Sequence, residues 1–355
     1  MATSQGSAVA RGTCVASAAL AIVMLTSEAA RPPITRVRPK EGDEDAGTSM
    51  DCSNARTARK FAPTPAHIRR RDTVRSMTPE EWRAGGGYFE WQGHRIFCRV
   101  EGTGEPLVLI HGFPTSSWDW WKLWPALTAS YRCLALDMLG YGFSAKPRDP
   151  DYSILGQADL QEAMLAREGV TSYRLLAHDY GLTVAQELLA RGSAIRGACL
   201  LNGGMFPEAH RPVLMQRLLA SPLGPLIARF GSYRTFARTM RRIWGETPPF
   251  DGELRAMWSL IRESDGMRAM PKLIGYIDER RRYRDRWVGA LIAAKIPLRL
   301  IDGLVDPISG AHMVARYREL VPEPDIVELP GVGHYPQVEA PEQVLAAVLE
   351  LFARC

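Results

Sequence analysis

Strand-like and helix-like segments alternate along this chain, stop, and start again. PLVLIHG (106–112), YRCLALD (131–137), SYRLLAH (172–178) and IRGACLLNG (195–203) are short apolar runs that end at Gly or polar residues, as buried strands do. SSWDWWKLWPAL (116–127), residues 155–168 and YGLTVAQELLARG (180–192) read as the intervening helices, the last with Val184, Leu188 and Leu189 in phase. Repeated alternation of this length predicts a mostly parallel central sheet covered by helices on both faces, an α/β architecture. GYFEW (87–91) and HRIFCRVE (94–101) precede it and flank Gln92-Gly93, a hairpin turn. Between 205 and 290 the strand signals fade and helical ones dominate, as in FARTMRRIW, GELRAMWSLIRES and AMPKLIGYIDERRRY. Alternation resumes with PLRLIDG (297–303), AHMVARYREL (311–320), DIVELPG (325–331) and EQVLAAVLELFAR (342–354). The expected organisation is therefore a core of residues 77–204 and 291–355, with 205–290 inserted after the sixth strand as a helical cap over the carboxyl ends of the strands.

Residues 1–76 differ from the rest. They hold 12 Lys+Arg and 7 Asp+Glu, whereas the remainder holds 32 of each, so the whole net charge of +5 lies in this segment. The main body has no basic excess, which removes the support for nucleic acid as a partner. The segment reads as a disordered tail or as sequence upstream of a start at Met77; CVASAALAIVML (14–25) leaves a minority reading as a weak export signal. Thr78, Pro79 and Glu81 fit a capping box with Pro at the first helical position. The six cysteines are scattered without a CxxC or Cys/His cluster, so neither a metal site, a cofactor nor a disulfide framework is indicated, and a reducing compartment such as the cytoplasm is the expected home. No apolar run reaches the roughly 18–20 residues of a membrane span. The expected partners are a small-molecule substrate and water.

Four segments carry chemistry. Ala177-His178-Asp179-Tyr180-Gly181 fits small-x-nucleophile-x-small between a strand and a helix, with a carboxylate where a serine often stands. Taken alone, Asp179 reads at least as well as an ordinary helix N-cap. His111-Gly112-Phe113-Pro114 follows an earlier strand, where the N–H of Phe113 would face that of Tyr180 to form an oxyanion site. Asp306 follows the strand ending at 302–303, and His334 sits in a Gly-rich loop before the last helix. The chain order is nucleophile, acid, histidine, each at the expected strand end.

In these segments the chain, over residues 87–354, resembles an α/β-hydrolase of the aspartate-nucleophile branch, the group of epoxide hydrolases and haloalkane dehalogenases. HGFP is similar to the HGxP motif of that group, and DMLGYGFSAKP (137–147) carries a similar Gly-x-small-x-Ser turn. HDYGLTVAQELL, LLNGGMFPEAHRP (200–212) and RWVGAL (286–291) resemble an epoxide-hydrolase-like member whose substrate is uncertain. A carboxylate is ionised at neutral pH and can displace a leaving group at sp³ carbon, forming an ester that a His-activated water then hydrolyses. The resemblance implies catalytic Asp179, Asp306 and His334, a small apolar epoxide as substrate, and a lid tyrosine as proton donor. Tyr276 matches the expected position, with Tyr233 or Tyr283 as a second hydroxyl. Haloalkane dehalogenases usually carry Trp after the nucleophile and Asn after the HG of the earlier loop; Tyr180 and Phe113 stand there, so dehalogenation is the alternative. A hydrolase fold reused for binding alone is a third reading. Asn202 reads either as a turn residue or as a group that positions water or a nearby loop. Arg280, Arg281, Arg282, Arg284 and Arg286 read as a solvated helix face.

Overall fold

The architecture is that of a computed structural model that describes residues 76–354. The expectation of a tail over residues 1–76 falls outside them apart from Ser76. The first helix, α1 (Pro79–Ala84), begins as its sequence demands: Thr78 Oγ1 accepts the Glu81 N–H at 3.2 Å, and Glu81 Oε2 accepts the Thr78 N–H at 2.9 Å. Strands β1 (Gly87–Trp91) and β2 (His94–Glu101) pair antiparallel through the Gln92-Gly93 turn, where both residues have positive φ, 49° and 75°.

Beyond the hairpin come β3 (Pro106–Ile110), α2 (Trp124–Thr128), β4 (Arg132–Leu136), α3 (Ile154–Arg167), β5 (Tyr173–His178), α4 (Tyr180–Ala190) and β6 (Ile195–Leu201). Seven helices follow before the next strand: α5 (Leu214–Leu219), α6 (Gly224–Arg229), α7 (Tyr233–Ile243), α8 (Asp251–Arg262), α9 (Met270–Leu273), α10 (Tyr276–Arg282) and α11 (Arg284–Ala293). The chain closes with β7 (Leu298–Gly303), α12 (Ala311–Leu320), β8 (Asp325–Leu329), α13 (Pro336–Glu339) and α14 (Pro341–Phe352). The eight strands form one sheet in the order β1-β2-β4-β3-β5-β6-β7-β8; β2 meets both neighbours antiparallel and every later pair is parallel. Two buried apolar clusters pack against it. One joins Val108, Leu175 and Ala177 to α3, α4 and α11; the other joins Leu107, Leu109 and Leu176 to the Trp-rich segment and α14. Alternate residues of a strand point to opposite faces, which is why Leu107 and Val108 fall in different clusters. Among the described residues no helix is long and apolar enough to cross a membrane.

The segment 116–127 departs from the single helix expected of it. Ser117–Trp120 forms a 3₁₀ turn, and α2 starts only at Trp124, with Pro125 in its first turn. The cause is the Asp137 carboxylate at the end of β4. Its Oδ1 takes the Ser117 N–H at 2.8 Å and the Ser117 hydroxyl at 2.6 Å, while its Oδ2 takes the Phe143 N–H at 2.7 Å. These bonds compete with a helical ladder and hold two loops together beside the sheet's carboxyl edge.

Candidate active site

Asp179 is the single residue between β5 and α4. Its backbone sits at φ 46°, ψ −106°, an uncommon conformation for a residue with a Cβ, and its side chain makes no capping bond to α4. The ordinary N-cap reading therefore fails, because an N-cap Asp has extended backbone and accepts from its own helix. The Asp179 N–H is held by the carbonyls of Leu201 and Asn202, at 3.3 and 3.0 Å. Gly181 makes the turn feasible: a Cβ there would lie 2.5 Å from the Ile110 carbonyl oxygen and 2.6 Å from that of His111, so only glycine lets α4 start this close to the end of β3.

The two carboxylate oxygens are unequal. Oδ2 accepts the Phe113 N–H at 3.2 Å, whereas Oδ1 is buried and has no hydrogen-bond partner. Phe113 is positioned by the HGFP loop, in which the Phe113-Pro114 peptide is cis and His111 ties the loop to the end of β4. His111 Nδ1 donates to the Gly112 carbonyl at 2.9 Å and Nε2 accepts the Met138 N–H at 3.1 Å. Burial, opposed by the Asp137 charge, lowers the His111 pKa, in keeping with a neutral ring that accepts at Nε2. The N–H of Tyr180 lies at the first residue of α4.

His334, on the loop after β8, brings Nε2 to 4.0 Å from Asp179 Oδ2, and its Nδ1 lies 2.7 Å from Asp306 Oδ2. Asp306 is fixed in turn. Its Oδ1 accepts the Ile308 N–H at 2.8 Å, and its Oδ2 accepts the Ser309 hydroxyl at 2.8 Å and the Asn202 amide at 3.1 Å. Asn202 also bonds Gly303 through both amide atoms, so it clamps β6 to the Asp306 loop. Of its two sequence readings, positioning a nearby loop is the one this geometry favours.

Helix α10 completes the enclosure with Tyr276, Ile277 and Arg280 on its buried face. The Tyr276 ring lies 5.0 Å from that of Tyr180 and 5.8 Å from that of Phe113, and the Arg280 guanidinium stacks over it at 4.5 Å. The solvated-face reading is wrong for Arg280, which is 2% exposed with Nη2 3.7 Å from Asp179 Oδ1. Spacing could have shown this, because positions 276 and 280 lie on one side of a helix. The neighbouring arginines do face outward: Arg281 pairs with Asp278, and Arg284 with Glu208. The other two candidate tyrosines are not brought to the site. Tyr233 donates to Asp251 Oδ1 at 2.5 Å, and Tyr283 packs on Trp287. A tyrosine that sequence reasoning passed over, Tyr141 of the GYGFS turn, stands 5.6 Å from the Tyr180 ring with a buried hydroxyl that has no partner.

Electrostatics follow from this crowding. Burial raises the Asp179 carboxyl pKa, but His334, Arg280 and His178 outweigh it and hold the group well below the usual carboxylate range. Burial lowers the His334 pKa, yet the carboxylates of Asp306 and Asp179 on either side push it up to about 10. Burial first, and the Asp179 charge second, push the Tyr276 phenol far up. At neutral pH the site therefore holds an ionised Asp179, a protonated His334 and a neutral Tyr276.

A sheet of this topology, with a strained acidic elbow after β5, an acid after β7 and a histidine after β8, defines an α/β-hydrolase. The chain belongs to the Alpha/beta hydrolase family, which it matches over residues 107–348. It is 43% identical to the mesoderm-specific transcript homolog protein of Bos taurus across 76% of this chain and 86% of that one. It is 40% identical to the putative hydrolase LipZ of Mycobacterium tuberculosis across 78% of this chain and 98% of that one. Among solved structures, an alpha/beta hydrolase fold protein from Burkholderia ambifaria superposes with a TM-score of 0.67 at 26% identity, over 74% of this chain and 97% of that one. Solved haloalkane dehalogenases, an epoxide hydrolase and a putative epoxide hydrolase from Pseudomonas aeruginosa share the fold, with TM-scores of 0.62 to 0.65 at 19% to 22% identity.

Proposed function

We propose that the protein is a hydrolase that works through a covalent ester on Asp179, and that its substrate is a small epoxide. The observation that carries this reading is the asymmetry of the Asp179 carboxylate: Oδ2 is held by an N–H while Oδ1 is bare. Oδ1 attacks a ring carbon, a C–O bond forms, the ring C–O bond breaks, and the departing oxygen takes the Tyr276 proton. While Asp179 is charged it keeps that phenol protonated; esterification removes the charge, so Tyr276 becomes more acidic in the step that needs its proton. The same loss of charge lowers the pKa of His334. Its proton is passed on to the phenolate, which leaves Nε2 free to act as base. Water then attacks the ester carbonyl and gives its proton to His334, while the Phe113 and Tyr180 N–H groups hold the oxyanion and the diol departs. Helices α5–α11 serve as the cap, and Tyr141 replaces Tyr233 and Tyr283 as the candidate second hydroxyl.

Dehalogenation is served less well. The Tyr180 hydroxyl donates to the Tyr152 carbonyl at 3.3 Å, and position 113 offers only its backbone N–H. Binding without turnover would need neither a strained Asp179 nor a buried His334–Asp306 pair. The test is diol release from epoxides and halide release from haloalkanes of matched size, with Asp179→Ala as control. Diol formation abolished by the substitution supports the reading. Halide release without diol, or turnover that survives Asp179→Ala, overturns it.

A further inference from the structure

Among the buried polar groups that the proposed mechanism does not use, those of Arg280 and His210 lie close to Asp179. Arg280 Nε donates to Thr183 Oγ1 at 2.7 Å and Nη2 to the Asp179 carbonyl at 3.0 Å, but Nη1 is buried and meets no acceptor. Idle buried donors are uncommon, because the lost hydration goes unreplaced. Nη1 packs against the backbone of Gly204, an approach that only a residue without a side chain allows. A Cβ on Gly204 would lie 2.4 Å from Arg280 Nη1 and 3.1 Å from Cδ2 of His210. His210 is itself buried, and its Nε2 also has no partner. Burial, with the Arg280 charge beside it, pushes the His210 pKa down to about 3, so its ring is neutral and can donate from one nitrogen. Two idle groups, one cationic and one able to donate, thus meet at Gly204 close to the nucleophile.

Charge argues for what these two groups would hold. Among the described residues, Asp179 is the one carboxylate within ion-pair range of Arg280. Esterification neutralises Asp179 and would leave a buried guanidinium without a counter-ion in the intermediate. A neutral substrate offers no replacement, whereas an anionic one carries its own. Guanidinium geometry suits a carboxylate. We propose that Arg280 Nη1 and His210 Nε2 form a subsite for a carboxylate on the substrate, so that the substrate class is short epoxy acids with the carboxylate next to the ring. Nη2 of the same guanidinium lies 3.7 Å from Asp179 Oδ1, so a carboxylate on Nη1 would sit close to the attacked carbon. This assignment replaces the wholly apolar substrate expected from the sequence, and it rests on Asp179 being the nucleophile.

The test compares glycidate with glycidamide, its neutral isostere, on wild type and Arg280→Met. The substitution is expected to lower kcat/KM for glycidate about 10²-fold more than for glycidamide, because only the carboxylate loses a hydrogen-bonded partner. Equal loss on both substrates would mean that Arg280 acts only on Asp179, and the subsite would fall. A measurement without a variant guards against misfolding: calorimetric titration of wild type with propionate and propionamide. Propionate is expected to bind at least about tenfold more tightly, as one charge-assisted hydrogen bond suffices for that factor; equal binding overturns the subsite. An Asp179 adduct in His334→Gln treated with glycidamide separates the two layers. If the adduct forms and no carboxylate preference exists, only the subsite is wrong. If neither epoxide gives an adduct, the nucleophile assignment fails and the subsite with it.

Discussion

At the scale of residues, the proposed mechanism depends on how charges change when Asp179 is esterified. Tyr276→Phe keeps the ring packing but removes the proton, so epoxide turnover should fall by about 10–10⁴-fold, the wide range allowing for Tyr141 as a substitute. Steady-state kinetics on an epoxide and a haloalkane of similar size decide the role, since a halide leaves without a proton; equal loss on both would reduce Tyr276 to packing. A second expectation concerns pH. His334 rests near 10 because two carboxylates flank it. Once Asp179 is an ester only Asp306 remains, so the rate of ester hydrolysis should rise with pH with a midpoint well below 10. Single-turnover rates across the pH range check this, and a midpoint at or above 10 contradicts it. The convergence of Asp179, Asp306 and His334 was legible in the sequence because each follows a recognisable strand and their order is distinctive. Arg280 was passed over, because five arginines within seven residues of sequence look solvated, and its four-residue spacing from Tyr276 was the one signal that set it apart.

At the scale of elements, α4 presents Asp179 at one end and is clamped to α11 at the other by Glu187. Oε1 accepts from Arg191 Nε at 2.8 Å and Arg286 Nη2 at 2.9 Å, and Oε2 from Arg286 Nε at 2.8 Å and Trp287 Nε1 at 2.7 Å. Trp287 is buried, so Glu187→Ala strands its N–H and should destabilise the fold by about 1–3 kcal/mol. Urea unfolding measures this, and a change below about 0.5 kcal/mol, the range of ordinary surface substitutions, would show the clamp to be idle. Strand and helix positions were readable wherever the apolar period was clean, as in β5, α4 and α14. The segment 116–127 misled because its four tryptophans satisfy a helical pattern locally, while the bonds from Asp137 that break the helix arrive from another part of the chain.

At the scale of the whole molecule, buried titratable groups couple stability to pH. His334 is raised to about 10, and burial raises the Asp119 and Asp302 carboxyls well above their ordinary values. A raised group stabilises fully below its unfolded pKa and loses that contribution as pH climbs toward its folded one. Through the window from about pH 6.5 to 8 His334 therefore keeps a proton in the folded protein that it loses in the unfolded chain, and its contribution should fall as pH rises by on the order of 1–2 kcal/mol, while the buried His111, His178 and His210, whose pKa values are lowered, supply an opposite slope near pH 6.5. Melting temperatures of wild type and His334→Gln across that window isolate this share: the advantage of wild type should shrink as pH rises, and a constant or growing advantage contradicts it. None of this coupling was visible in the sequence. Asp119 and Asp302 look like ordinary polar residues until β7 and the loop after β3 are packed.

The claim on which the rest depends is that Asp179 becomes covalently bonded to substrate. His334→Gln should still permit attack but hydrolyse the ester slowly, because the base is gone. Intact-protein mass spectrometry of this variant after exposure to an epoxide should show an added mass equal to the epoxide, with peptide mapping to Asp179. An adduct at another residue, or an epoxide turned over by wild type with no adduct in the variant under trapping conditions, would contradict it.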